Sequence, residues 1–166
     1  MLNRIRLMIR IFFLYSLLLL TGGNIFSQHK KTDVVDISFS TVPDSVKKNN
    51  FTILININIK EGWHINSNKP LDEYLTPTSV MLKDSSGIKI SGIEYPPELI
   101  SKLQFSDSEL SLYEGNVSIK VNIEVEESFL KNKSKTEFEL QYQSCNNQTC
   151  LFPVIKTITV PLSKGE

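Results

Sequence analysis

The chain of 166 residues contains no alanine anywhere and no arginine beyond Arg10. The first absence removes the strongest helix former, and the isoleucine, valine and threonine that abound instead favour a pleated surface. The second removes any basic footprint. The formal count balances at 18 basic against 18 acidic residues, but all the arginines (Arg4, Arg6 and Arg10) lie in the first ten residues. Without that N-terminal segment, 15 lysines face 18 carboxylates, a charge of about −3 at neutral pH, which excludes a nucleic-acid-binding surface. Histidine and cysteine occur twice each. Two thiolates need two further ligands for zinc, and only His29 and His64 are on offer, so neither a metal nor a cofactor is expected. No Ser-His-Asp order, phosphate-binding loop or paired catalytic acids stand out.

What is present begins with a targeting pattern. A basic stretch to Arg10 precedes the apolar run Ile11 to Leu20 and a small, polar exit at Thr21 to Ser27. That is the layout of a secretory signal peptide. Ten residues rising about 1.5 Å each cover only about half of a ~30 Å hydrocarbon core, so the segment is too short to span. Residues 1–27 are therefore expected to be cleaved, and residues 28–166 to form one exported domain. No cysteine near the junction offers a site for a lipid anchor.

Period-two alternation dominates the remainder. Phe51, Ile53, Ile55, Ile57 and Ile59 define one buried face, Val117 to Val125 repeat it, and shorter alternations occur at Val35 to Thr41, Phe138 to Tyr142 and Val154 to Val160. Trp63-His64-Ile65 resumes a strand briefly after Gly62, and residues 66–77 read as a long ordered loop. Ser79 to Leu82 and Ile88 to Ile90, separated by Asp84-Ser85-Ser86-Gly87, are expected to pair as a hairpin. Residues 95–110 have no sustained period and read as surface loop, the two prolines Pro96 and Pro97 barring a central strand. Seven to nine strands without a convincing helix imply an all-β, antiparallel β-sandwich.

Cys145-Asn146-Asn147-Gln148-Thr149-Cys150 lies between two strands expected to form a hairpin. Cysteines flanking so short a loop can close a disulfide. A ring of about six residues stabilises a fold by only ~2 kcal/mol on the loop-entropy scale, against ~4–5 for a ring near 100. A bridge that opens and closes and a hairpin staple both fit this spacing. The residues between and beside the cysteines are uncharged, so adjacent charge gives no reason for a depressed thiol pKa.

Tyr142-Gln143-Ser144-Cys145, then Cys150-Leu151-Phe152-Pro153, preceded by Gly62-Trp63-His64-Ile65 and Tyr113-Glu114-Gly115, resemble the N-terminal periplasmic domain of the thiol:disulfide interchange protein DsbD over nearly all of the mature chain. The resemblance implies an immunoglobulin-like sandwich whose dithiol takes electrons from a membrane-embedded thiol reductase and passes them to thioredoxin-like periplasmic proteins. It also implies that Cys150 is the exchanging thiol and Cys145 the resolving one, with Tyr142 packed beneath the pair and Pro153 in support. An aromatic cap over the cysteines is implied too, and by position Phe105 matches it. Three departures stand out. Phe152 replaces the first of two prolines common in the family, no acidic residue immediately precedes Phe105, and the chain ends at Glu166 without a membrane or thioredoxin-like domain. The last implies a stand-alone copy fed by a separate reductase. The rival is a non-catalytic exported immunoglobulin-like binding or structural domain whose disulfide staples a hairpin. Trp63 and His64 offer such a module a stacking and hydrogen-bonding platform, as for carbohydrate, but such a Trp reads more readily as sandwich core and such a His as a strand-end surface residue.

Overall fold

A computed structural model describes residues 33–43, 49–132 and 134–162. The signal-peptide expectation for residues 1–27 falls outside them. In chain order the elements are β1 (Val35–Pro43), β2 (Asn50–Ile59), β3 (His64–Asn66), β4 (Ser79–Leu82), β5 (Ile88–Glu94), β6 (Leu99–Ser101), β7 (Leu110–Tyr113), β8 (Asn116–Val125), α1 (Glu127–Asn132), β9 (Lys135–Tyr142), β10 (Ser144–Cys145) and β11 (Val154–Pro161).

Three antiparallel sheets result, ordered β1-β2-β8-β5, β10-β3-β7-β6 and β11-β9-β4. In the first, Ile53 lies opposite Val121 and Ile55 opposite Ile119, so the two long alternations present their apolar sets to the same side. That side meets Phe138, Leu140 and Tyr142 of β9, Ile158 and Val160 of β11, and Ile65 and Tyr113 of the second sheet in one core. The second and third sheets adjoin where the Asn66 amide donates to the Gln143 carbonyl at 3.1 Å. The fold is an immunoglobulin-like all-β sandwich, as expected.

Four details differ from the sequence reading. Leu110 to Tyr113 form a strand buried at every position, and a strand covered on both faces shows no alternation to read. Leu99 to Ser101, within the segment read as loop, pair with it along an edge. The segments flanking Gly87 do not form a hairpin: β4 pairs with β9 and β5 with β8. The turn reverses the chain, but the apolar faces find longer-range partners. Finally, the solvated connection after Val125 contains α1, anchored by buried Phe129.

Candidate functional site

The β9–β11 ladder runs to Tyr142 opposite Val154. Between them the chain leaves the third sheet, adds β10 to β3 of the second, and returns. Cys145 lies opposite His64 and Ser144 opposite Ile65. Beyond β10 the chain folds back on itself. The Leu151 amide donates to the Ser144 carbonyl at 2.8 Å and the Asn146 amide to the Thr149 carbonyl at 2.9 Å. Those bonds flank Cys145 and Cys150 and make them a non-hydrogen-bonded cross-strand pair, the closer of the two pair types in an antiparallel ladder. Their Cα atoms are 4.0 Å apart and the disulfide is closed. Asn146 holds the tip, its Oδ1 accepting from the amides of Gln148 and Thr149 at 2.8 and 2.9 Å.

Side-chain direction in the second sheet explains the burial. Ile65 and Tyr113 point into the main core. Alternation then sends Cys145 and Leu112 to the opposite face, where they join Leu103 and Leu110 in a second apolar cluster, with Leu75 and Cys150 packed against it. Two loops supply the cover: residues 67–78 bring Leu75 and residues 102–109 bring Leu103. The two sulfurs are therefore unequal. Cys145 is fully buried, whereas Cys150 is partly exposed and is followed by the exposed Leu151 and Phe152.

A polar network borders the bridge. The buried Asn66 places Oδ1 3.9 Å from Cys145 Sγ, while its Nδ2 donates to the Thr76 carbonyl at 3.0 Å and to Gln143 Oε1 at 3.1 Å. Gln143 Oε1 also accepts from the Thr76 amide at 2.9 Å, and Gln143 Nε2 donates to the Leu151 carbonyl at 3.1 Å. Gln143 thus ties the loop of residues 67–78 to the strand leaving Cys150. His64 Nε2 lies 3.2 Å from a Glu114 carboxylate oxygen, and its Nδ1 is buried without a hydrogen-bond partner.

The residues singled out from the sequence divide as follows. Cys145 and Cys150 are joined. Phe105 sits, 41% exposed, in the same loop as Leu103, and it is Leu103 that packs against the cysteines' cluster. Tyr142 lies in the main core rather than in that cluster, and burial raises its hydroxyl pKa, opposed by the Lys156 ammonium nearby. Pro153 is exposed at the exit of the hairpin. Trp63 packs against the core as expected, but His64 is no free surface residue: its side chain is only 15% exposed because β10 runs beside it. Leu75, Leu103 and Asn66 were not identified from sequence. Their signal is contextual, since the two leucines lie in aperiodic loops and the asparagine ends a three-residue strand.

Fold and site together define a class: an immunoglobulin-like sandwich whose one disulfide clips a hairpin and lies under two loops. The family model described as "Thiol:disulfide interchange protein DsbD, N-terminal" matches residues 35–162, and the chain belongs to that family. Among solved structures it is similar to the N-terminal periplasmic domain of ScsB from Proteus mirabilis, with a TM-score of 0.58 and 12% identity over 80% of this chain and 48% of that one. The chain thus spans about half the length of that structure. The GAE domain of yeast GGA1 is similar at a TM-score of 0.46 and 8% identity, over 80% of this chain and 96% of that one, too distant to bear on fold or function. No curated protein matches the chain.

Proposed function

We propose that residues 28–166 form a periplasmic thiol:disulfide exchange module, reached after cleavage of residues 1–27. Its Cys145–Cys150 pair takes two electrons from a separate membrane-embedded thiol reductase and delivers them to thioredoxin-like proteins. The observation that carries this reading is the inequality of the two sulfurs within a family of thiol:disulfide interchange domains. An exchanging sulfur must be reached in line by an incoming sulfur. Cys150, partly exposed beside the apolar rim of Leu151 and Phe152, meets that need, and buried Cys145 does not.

In the delivering half-reaction, Cys150 Sγ attacks the partner disulfide. A mixed disulfide forms, the partner's S–S bond breaks and a thiolate leaves on the partner. Cys145 then gives up its proton to that thiolate and attacks Cys150 Sγ. The intramolecular disulfide re-forms and the partner departs with two electrons and one proton. The loop of residues 102–109 is the cover, Leu103 its anchor and Phe105 its outward-facing aromatic; Tyr142 and Pro153 support the base and exit of the hairpin.

The test is a redox titration of the mature domain against glutathione, followed by transfer to a thioredoxin-like protein. A potential within reach of exchange proteins, with Cys145→Ser trapping a mixed disulfide through Cys150 and Cys150→Ser trapping none, is the expected result. A bridge with a potential below about −300 mV that stays closed until the domain unfolds refutes it and leaves a hairpin staple.

A further inference from the structure

The amide of Asn66 cannot turn over. Both hydrogens of its Nδ2 are committed, to the Thr76 carbonyl and to Gln143 Oε1. Gln143 Oε1 is itself fixed as an acceptor by the Thr76 amide, and Gln143 Nε2 by the Leu151 carbonyl. A flipped Asn66 would set its oxygen against two other acceptors. Its backbone is pinned as well, by the carbonyl that accepts from Thr78 Oγ1 and the amide that donates to Gln143. The consequence is an amide oxygen held 3.9 Å from Cys145 Sγ. While the bridge is closed, that sulfur has no hydrogen to offer; once the bridge opens, it does.

We propose that Asn66 is a positioning residue for the exchange: its fixed oxygen accepts the hydrogen of the Cys145 thiol in the reduced domain. That bond holds Cys145 protonated and leaves the thiolate to Cys150. An acceptor facing a sulfur stabilises the thiol and opposes the thiolate, as burial does. The two cysteines then act in order, Cys150 attacking first and Cys145 losing its proton only after the mixed disulfide has formed and the site has opened. The purpose assigned to the bond rests on the exchange reading above; the bond itself does not.

The neighbouring charges are few. His64, opposite Cys145 on β3, is the titratable group on the same face, with Glu114 against its Nε2. Lys69, Asp72 and Glu73 on one covering loop and Lys102, Asp107 and Glu109 on the other are exposed.

The experiment uses two readouts. In the Cys150→Ser domain, where Cys145 is the sole thiol, the pH profile of its alkylation is compared with and without Asn66→Leu, and repeated with His64→Gln to remove the neighbouring imidazole. The midpoint is expected to fall when the amide oxygen is removed. In the intact pair, Asn66→Leu is expected to shift the equilibrium with glutathione threefold to tenfold towards the disulfide, a drop of about 15–30 mV at 29.6 mV per tenfold change. The unpaired Thr76 and Gln143 groups left by this substitution weaken both redox states alike, so a purely structural role does not move that equilibrium. An unchanged midpoint or an unchanged potential overturns the proposal. If Asn66→Leu does not fold, the infrared S–H stretch of the Cys150→Ser domain decides: a band lowered relative to an unbonded thiol supports the bond, and an unshifted band overturns it. A domain that shows these shifts yet exchanges with no thioredoxin-like protein refutes the proposed function and leaves the bond standing.

Discussion

Leu103→Ala removes the one buried side chain of the loop that covers the disulfide. Leu103 is 3% exposed and packs in the cluster with Leu110, Leu112 and Cys145, whereas Lys102, Gln104, Phe105, Asp107, Ser108 and Glu109 are all exposed. The loop's own bonds are short-range, such as the Ser106 amide to the Leu103 carbonyl at 3.0 Å, and do little to hold it down. Truncating a buried leucine costs from about 2 to 5 kcal/mol, and a small peripheral cluster that can settle into the gap belongs at about 2. Global stability falls by that amount, a urea midpoint shift of about 1 M. The loop's local closure loses the same energy, and at 1.36 kcal/mol per tenfold change its open population rises about 30-fold. Reduction of the bridge by dithiothreitol, quenched with a maleimide and counted by mass, should accelerate by nearly that factor. Phe105→Ala should accelerate it less than fivefold on the same scale, because the aromatic is already partly in water. A urea midpoint that falls while the reduction rate stays within threefold refutes the reasoning, and a larger effect from Phe105→Ala transfers the covering role to that residue.

Three further outcomes are expected. Tyr113→Phe removes the hydroxyl that donates to Asn68 Oδ1 at 2.6 Å and accepts from the Asn68 amide at 3.2 Å; it should lower stability by about 1 kcal/mol in urea titration. Gly87→Ala and Gly62→Ala both place a side chain at φ +77, but only the former sets a Cβ 3.1 Å from Phe129 Cβ. Gly87→Ala should therefore be the more destabilising, each losing at least about 1 kcal/mol, and equal losses would show that α1 gives way freely. Hydrogen bonding to Lys120 and Lys83 holds the carboxyls of Glu94 and Glu137 below the usual 4.5. A group so lowered contributes stability that is present above pH 4.5 and lost as pH falls through its folded value, so the urea midpoint should drop in acid and the combined Glu94→Gln, Glu137→Gln variant should drop less.

The parts legible in sequence were those with one wet and one dry face. Ile53 to Ile59 and Val117 to Val125 alternate because Asn56, Asn58, Ser118 and Lys120 face water while their neighbours face the core. Leu110 to Tyr113 escaped because Leu112 is packed by the disulfide cluster and Tyr113 by the main core, so no wet face exists. Gly87 announces a turn but cannot name the strands' partners, which lie 26 to 37 residues away for β5 and 56 to 62 for β4. The cysteine pair was legible through its neighbours Tyr142, Gln143 and Pro153. The acceptor oxygen beside it was not, because Asn66 reaches Cys145 only through the β10–β3 register and is aimed only by Gln143 and Thr76.

The bridge joins residues only five apart, at the tip of a tab that leaves the β9–β11 ladder at Tyr142 and rejoins it at Val154. Among the described residues no strand is threaded through that ring, and the ladders of the three sheets are held by backbone hydrogen bonds rather than by sulfur. On the exchange reading proposed above, opening the bridge at sulfur draws a hinge pin from a small hatch and severs none of the backbone ladders that frame it.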